Sequence, residues 1–276
     1  MIVRATRLLR KMRGGAQAHL LEADDGHCYV VKFTNNPQHR RILVNEWIAS
    51  RFLAYLQINA PAPAIVDLSP EFLSQTTGLH LQLGSTLVPV PSGRHFGSRV
   101  PGELNRMSVY DFLPDILLNK VGNRSDFLGI LAFDKWMGNS DARQCVFYRA
   151  VVRGAGEGNE EPGRPAWIAT MIDHGFVFDG PNWSFVDAPL AGLYHRPVFY
   201  EPVRSFDDFQ PWIDRILHFP EHIVDTALRS MPSDWVDQDH DASEALLEKL
   251  LRRRNRIESL LYALRSARVT LFPNWK

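Results

Sequence analysis

Cysteine is scarce: Cys28 and Cys145 are the two in 276 residues, both in apolar surroundings and without CxxC spacing. They read as reduced, buried thiols, and a zinc cluster cannot be built from them. Ten histidines are present, none with HExxH spacing. An excess of either charge is also lacking. Lys+Arg and Asp+Glu both number 31, which argues against a dedicated nucleic-acid binder, although a local basic patch stays compatible with it. No apolar run approaches the roughly 18–20 residues that span a bilayer. The basic N-terminus (Arg4, Arg7, Arg10, Lys11, Arg13) lacks a following apolar core, so it is no secretory signal. No internal period exists, which excludes a repeat array. The expectation is a soluble cytoplasmic protein, with no membrane partner and no direct contact to nucleic acid.

What is present is an ordinary globular composition, 45% hydrophobic and 22% charged, long enough for one large domain or two lobes. Eighteen prolines and seven tryptophans suit a loop-rich enzyme. Residues 1–34 read as strands around turns. Met12–Gln17 is a small-residue turn, and Asp24-Asp25-Gly26 is a hairpin signal before the β-rich run His27–Phe33. From Arg40 to Gln57 the apolar spacing becomes helical, and Asn59–Pro63 breaks it. Ile65–Leu68, Leu79–Val90 and Arg94–Val100 read as short strands, closed by Pro101-Gly102.

Beyond Val109 the pattern is mostly helical: Asp111–Leu118, Ser125–Met137, Phe206–Leu217, Ile223–Ser230 and Ala242–Leu264. One β-hairpin interrupts, with strands at Cys145–Val152 and Trp167–Ile172 and a polar tip over 153–165. The basic run Leu251–Arg256 reads as a solvated helical face. The fold class is therefore α+β, with a strand-rich lobe over 1–101 and a helical lobe over 102–276. A cleft between lobes is a favoured ligand site.

Several residues could carry chemistry. Gly14 and Gly15, with Ala16 and Gln17, could bring backbone N–H groups to a phosphate; the alternative is an ordinary hairpin turn. Lys32 alternates with apolar residues at the end of a strand, as many exposed strand lysines do. Glu46, fourteen positions later on the next helix, could hold it as a fixed ammonium for phosphate oxygens. Asp141 follows Gly138-Asn139-Ser140 in a loop, where it could orient a substrate hydroxyl or make only a local Asx turn. Asp173 ends a strand two residues before Gly175, a setting that suits a magnesium ligand.

Their order matters more than any one of them: glycine turn, strand Lys, helix Glu, loop Asp, strand-end Asp-x-Gly. In that order the chain resembles the protein-kinase-like superfamily, and within it the HipA-like kinases. Gly14–Gln17, Val30-Val31-Lys32-Phe33, Asn45-Glu46, Gly138–Gln144 and Ile172-Asp173-His174-Gly175 carry the resemblance. It implies a two-lobed kinase fold and an ATP- and magnesium-dependent phosphotransferase acting on a Ser/Thr hydroxyl of a protein, or on a small molecule. It implies that Gly14–Gln17 cover the triphosphate, Lys32 contacts the α- and β-phosphates, and Glu46 positions Lys32. The adenine is expected between the lobes, near the connection after Phe96–Val100. Asp141 would orient the acceptor, and Arg143 would either neutralise γ-phosphate charge or hold the loop. Asp173 would bind magnesium.

The family's second metal ligand is an Asn five residues after the loop Asp; this chain has Val146 there. Gln144 is the substitute expected, with Asn139 another candidate. The alternative reading is a pseudokinase or nucleotide-binding scaffold without turnover. The aromatic-rich segment Pro181–Pro197 either binds the acceptor or packs on the helices.

Overall fold

Residue alternation builds the first sheet. In β1 (Ile2–Lys11), Val3 and Ala5 are buried while Arg4 and Thr6 face water. The computed structural model describes residues 1–102, 107–152 and 164–276. β1 turns at Met12–Gln17 into β2 (His19–Ala23), and Asp24–Gly26 turns that into β3 (Cys28–Lys32), both pairings antiparallel. β3 pairs with β7 (Gly93–Arg99), β7 with β4 (Pro63–Leu68), and β4 runs parallel to β1, closing a five-stranded barrel. Its interior holds Val3, Leu21, Tyr29, Val31, Phe33 and Val66. A separate hairpin, β5 (His80–Leu83) with β6 (Thr86–Pro89), packs Leu79, Leu81 and Val90 into that cluster.

α1 (Arg41–Leu56) crosses between barrel and helices. Twelve of its sixteen residues are buried, so it has almost no solvent face. α2 (Pro70–Gln75) went unforeseen, although Ser69-Pro70-Glu71 carried the signal: the Ser69 hydroxyl accepts from Phe72 N at 3.1 Å, with Pro70 at the first helical position. Residues 111–114 are not helical. Pro114 has no N–H and disfavours the helical region for Leu113, so α3 spans only Asp115–Leu118. Tyr110 instead bridges to Phe147.

α4 (Asp126–Met137) is buried almost throughout and leads, through Gly138, to β8 (Gln144–Val152) and β9 (Arg164–Ile172). The expected polar tip over 153–165 falls mainly outside the described residues; Arg164 and Pro165 already belong to β9. The expected helix Phe206–Leu217 divides at Pro211 into a 3-10 turn, Phe206–Phe209, and α5 (Trp212–Leu217). After α6 (Glu221–Arg229), the long C-terminal helix is two, α7 (His240–Arg253) and α8 (Ile257–Ala267), joined by a 3-10 turn.

Tertiary bonds bracket that bend. Buried Arg253 donates to Trp136 O at 3.0 Å and Lys135 O at 3.2 Å, and Arg254 donates to Phe219 O at 3.0 Å. The basic run is thus not simply a solvated face. Arginine is a good helix former, so neither the bend nor the buried guanidinium is visible in spacing alone. A core of α1, α4–α8 and the β8–β9 hairpin gathers around Trp47, Phe52, Trp136 and Phe219.

Candidate active site

Three elements deliver one polar cluster. β3 ends on Lys32, α1 brings Glu46, and β9 ends one residue before Asp173. Lys32 pairs with Glu46, and its Nζ lies 2.7 Å from Asp173 Oδ1. Lys32 and Glu46 are buried, whereas the Asp173 side chain is 36% exposed, so the cluster opens on its Asp173 side. Burial by itself would depress the Lys32 ammonium. The two carboxylates outweigh it and hold Lys32 above the ordinary lysine range. Lys32 in turn holds Asp173 below the ordinary carboxylate range. The Glu46 carboxylate also accepts the His174 backbone N–H at 3.0 Å.

Gly175 permits this approach. A Cβ there would stand 2.7 Å from Ile42 Cγ2 on α1, closer than any real contact. The glycine of the Asp-x-Gly sequence therefore lets α1 pack directly against the turn after β9.

The loop from Gly138 to Arg143 is held by buried polar groups. Gly138 caps α4 with φ +63°. The Asn139 amide donates to Asp134 Oδ1 at 3.0 Å, and its oxygen accepts the Asp141 N–H at 3.1 Å. Arg143 forks onto the Asp134 carboxylate, with Nε 2.8 Å from Oδ2, and donates to Ile172 O at 2.8 Å. Both side chains of this pair are fully buried. Arg143 was expected either on the γ-phosphate or holding the loop, and its enclosed guanidinium fits the second role. Asn139, the alternative metal ligand, has both ends of its amide engaged in the loop. Ser140 N donates to Phe176 O at 3.0 Å, so the loop and the turn after Asp173 lie side by side.

Arg143 also donates to His174 Nδ1 at 3.0 Å, which makes that nitrogen an acceptor. The proton therefore sits on Nε2, which donates to Met171 O at 3.1 Å. Burial and the neighbouring guanidinium push His174 far below its ordinary value, so it is neutral and structural.

Asp141 is exposed at the surface of this loop, with Oδ1 accepting from Ala142 N at 2.7 Å. The local Asx-type contact and an exposed carboxylate coexist. Gln144 starts β8 opposite Ile172, and its amide lies 3.2 Å from Asp173 Oδ2. Val146, where an Asn was expected, lies inside β8 opposite Thr170 and is buried. Gln144, two residues before Val146, is the residue that stands beside Asp173 at the strand mouth.

The glycine turn is bent at Gly14 (φ +114°), and a Cβ on Gly15 would meet Gln38 Nε2 at 2.7 Å. The Gln17 side chain is committed elsewhere. It donates to Gln82 O at 2.7 Å and accepts Gln82 N at 2.8 Å, strapping the β5–β6 hairpin to the turn. Gln17 N also donates to Gly14 O at 3.1 Å, which leaves the main-chain N–H groups of Gly14, Gly15 and Ala16 as what the turn can offer to a ligand. Ala16, like Gln17, is half-buried there.

Sequence reading missed Asp134 and the role of Asn45. A charged residue inside the apolar run Phe127–Met137 was the available signal for Asp134. Asn45 entered only as part of the Asn45-Glu46 motif, and nothing in the spacing showed that it links α1 to the turn after Asp173.

Taken together, the cluster can do two things. A buried, doubly paired ammonium offers a fixed cation to anionic oxygens. A lysine-bound carboxylate beside an amide offers oxygen donors to a hard divalent cation. No group of three or more His, Cys, Asp or Glu that could hold a metal exists among the described residues. Asp173 with the Gln144 amide is a sparse oxygen donor set, of the kind a hard divalent cation completes with water or ligand oxygens.

The chain belongs to the HipA-like kinase family: that family's model matches residues 5–146, more than half of the chain. The match takes in the glycine turn, Lys32, Glu46, Asp141 and Gln144, and ends before Asp173. No curated protein matches. Among solved structures, a crystal structure of the Golgi casein kinase is 13% identical over 96% of this chain and 74% of that one, with a TM-score of 0.48. The same kinase with Mn/ADP bound is 12% identical over 96% of this chain and 73% of that one, with a TM-score of 0.46. No helix among the described residues is long and apolar enough to cross a membrane.

Proposed function

We propose that this chain transfers the γ-phosphoryl group of ATP to an alcohol oxygen, with a Ser or Thr hydroxyl of a protein as the acceptor the family resemblance favours. Fold alone does not choose the acceptor, and a small-molecule alcohol remains the competing class. One observation carries the reading. Lys32, Glu46 and Asp173, from β3, α1 and the end of β9, meet in one ion-pair cluster beside Gln144.

In this reading the barrel over 1–101 and the helical part over 102–276 are the two lobes, and the nucleotide lies between them. Main-chain N–H groups of Gly14, Gly15 and Ala16 in the Gly14–Gln17 turn cover the phosphates. Lys32 contacts the α- and β-phosphate oxygens, held by Glu46. Asp173 and Gln144 would hold magnesium, which when bound neutralises charge on the phosphates. Asp141 accepts the hydroxyl proton as the new O–P bond forms and the bond to the β-phosphate oxygen breaks, releasing ADP. Arg143 acts as a positioning residue, through Asp134 and the backbone at Ile172.

The second reading, a nucleotide-binding scaffold without turnover, rests on the missing Asn at position 146. Gln144 at the strand mouth supports the active form instead. The experiment is ATP binding by thermal shift and ATP turnover, with and without magnesium, for wild type, Asp141→Asn and Asp173→Asn. Expected are binding and turnover in wild type, binding without turnover in Asp141→Asn, and loss of the magnesium-dependent part in Asp173→Asn. Binding without turnover in wild type selects the scaffold; no nucleotide binding rejects both.

A further inference from the structure

Asn45 sits one residue before Glu46 on α1, fully buried. Its side-chain N–H₂ lies 2.7 Å from Gly175 O, 2.9 Å from Gly180 O and 3.1 Å from Val177 O. Its Oδ1 accepts the Trp183 indole N–H at 2.9 Å. One amide thus gathers four groups of the segment 175–183 onto α1. Two donor hydrogens shared among three carbonyls is a convergent arrangement that no other residue of α1 makes among the described contacts.

The segment it gathers is strained. Asp173, Phe178, Asp179 and Trp183 all have φ between +50° and +60° without being glycine. Left-handed backbone at a non-glycine residue costs on the order of 1–3 kcal/mol each and persists only where surroundings impose it. Arg41, one turn earlier on α1, reinforces the hold. It donates to Pro181 O at 2.8 Å, lies 4.3 Å from the Trp183 ring centroid, and is paired with Asp239.

We propose, resting on the reading of Asp173 as the magnesium ligand, that Asn45 is a positioning residue for the metal side of the site. It fastens the strained turn to the helix that carries Glu46. Asp173, which opens the strained segment, is then held facing Lys32 and Gln144. α1 therefore sets both partners of Lys32, one directly through Glu46 and one through the Asn45 clamp.

The test uses the full chain with Asn45→Ala and the milder Trp183→Phe, which removes the indole N–H but keeps a ring over Arg41. ATP affinity is measured by calorimetry with and without magnesium, and amide exchange over 173–183 is followed in the absence of ligand. The magnesium-dependent gain in affinity falls about tenfold in Asn45→Ala and about threefold in Trp183→Phe, because only part of the free energy of the lost hydrogen bonds reaches Asp173. Metal-free ATP affinity stays within about twofold of wild type. Exchange at His174 and Val177 speeds up while the barrel strands stay protected. Equal losses with and without magnesium, or an unchanged magnesium-dependent gain, overturns the proposal. Unchanged exchange over 173–183 overturns the clamp. Wild type that binds no ATP under either condition rejects the phosphotransfer reading, and the exchange data then judge the clamp alone. If Asn45→Ala does not fold, Trp183→Phe decides on the same readouts.

Discussion

The Gln144 amide lies 3.2 Å from the Asp173 carboxylate, at the open end of the β8–β9 hairpin and 29 residues away in sequence. The pairing follows from register: Gln144 is opposite Ile172, so the next residue of β9's chain is the one it meets. The amide is oriented with nitrogen towards Asp173; turning it over presents an oxygen to the same place.

That relationship predicts a metal phenotype without a folding phenotype. Gln144→Leu should lower magnesium-supported ATP affinity about tenfold, as lost metal contacts do. Its melting temperature should move little, because the residue is exposed. Gln144→Asn should fall between. A leucine variant with wild-type magnesium dependence would remove Gln144 from the metal site.

Lys32 and Glu46 should be strongly non-additive in stability. Lys32→Met leaves the buried Glu46 carboxylate with the His174 backbone N–H as its one remaining partner among the described residues. Breaking one side of a buried pair costs about 3–5 kcal/mol. The double variant Lys32→Met/Glu46→Gln should recover part of that loss in urea unfolding, because the enclosed Glu46 charge is no longer stranded, while Asp173, the other partner of Lys32, is partly exposed. Additive losses would mean the pair is not coupled.

Arg143 should behave as a loop holder. Asp134→Asn strands its guanidinium, with a cost of about 3–5 kcal/mol. Arg143→Lys keeps the charge but loses the fork, and should lower stability by about 1–3 kcal/mol. In that variant turnover should fall while KM for ATP holds, since the loop bearing Asp141 is what loosens. A selective rise in KM for ATP would instead place Arg143 on the nucleotide.

Stability should decline from about pH 6.5 towards pH 4. His95 is buried, accepts the Thr34 N–H at 3.1 Å, and is pushed down to about 4 by burial. Since its folded pKa lies below the unfolded one, its contribution is complete above the unfolded value and is lost as pH falls through the folded value. His174 and His19, also lowered by burial, act in the same direction. His95 alone accounts for about 3 kcal/mol across that window. His95→Gln should flatten the acid limb of a pH series of urea titrations; an unchanged limb would refute the assignment.

Much of this protein was determined by its sequence alone. Alternation at the start of β1, the β-rich composition of β3, the Asp-Gly turn, and the apolar spacing of α1 and α4 are local, and local physics decides them. So are Gly175, two residues after Asp173, and the order Lys32, Glu46, Asp141, Asp173. Other features needed the tertiary structure. Spacing could not tell whether Val146 or Gln144 stands beside Asp173, because strand register decides that. The bend between α7 and α8 is bracketed by carbonyls from distant segments. The burial of Arg143 and Arg253 depends on Asp134 and on the main chain at Lys135 and Trp136. The Asn45 clamp joins residues 130 to 138 positions apart. A hydrogen bond acts over about 3 Å of space, and the chain carries no local sign of which distant carbonyl will arrive there.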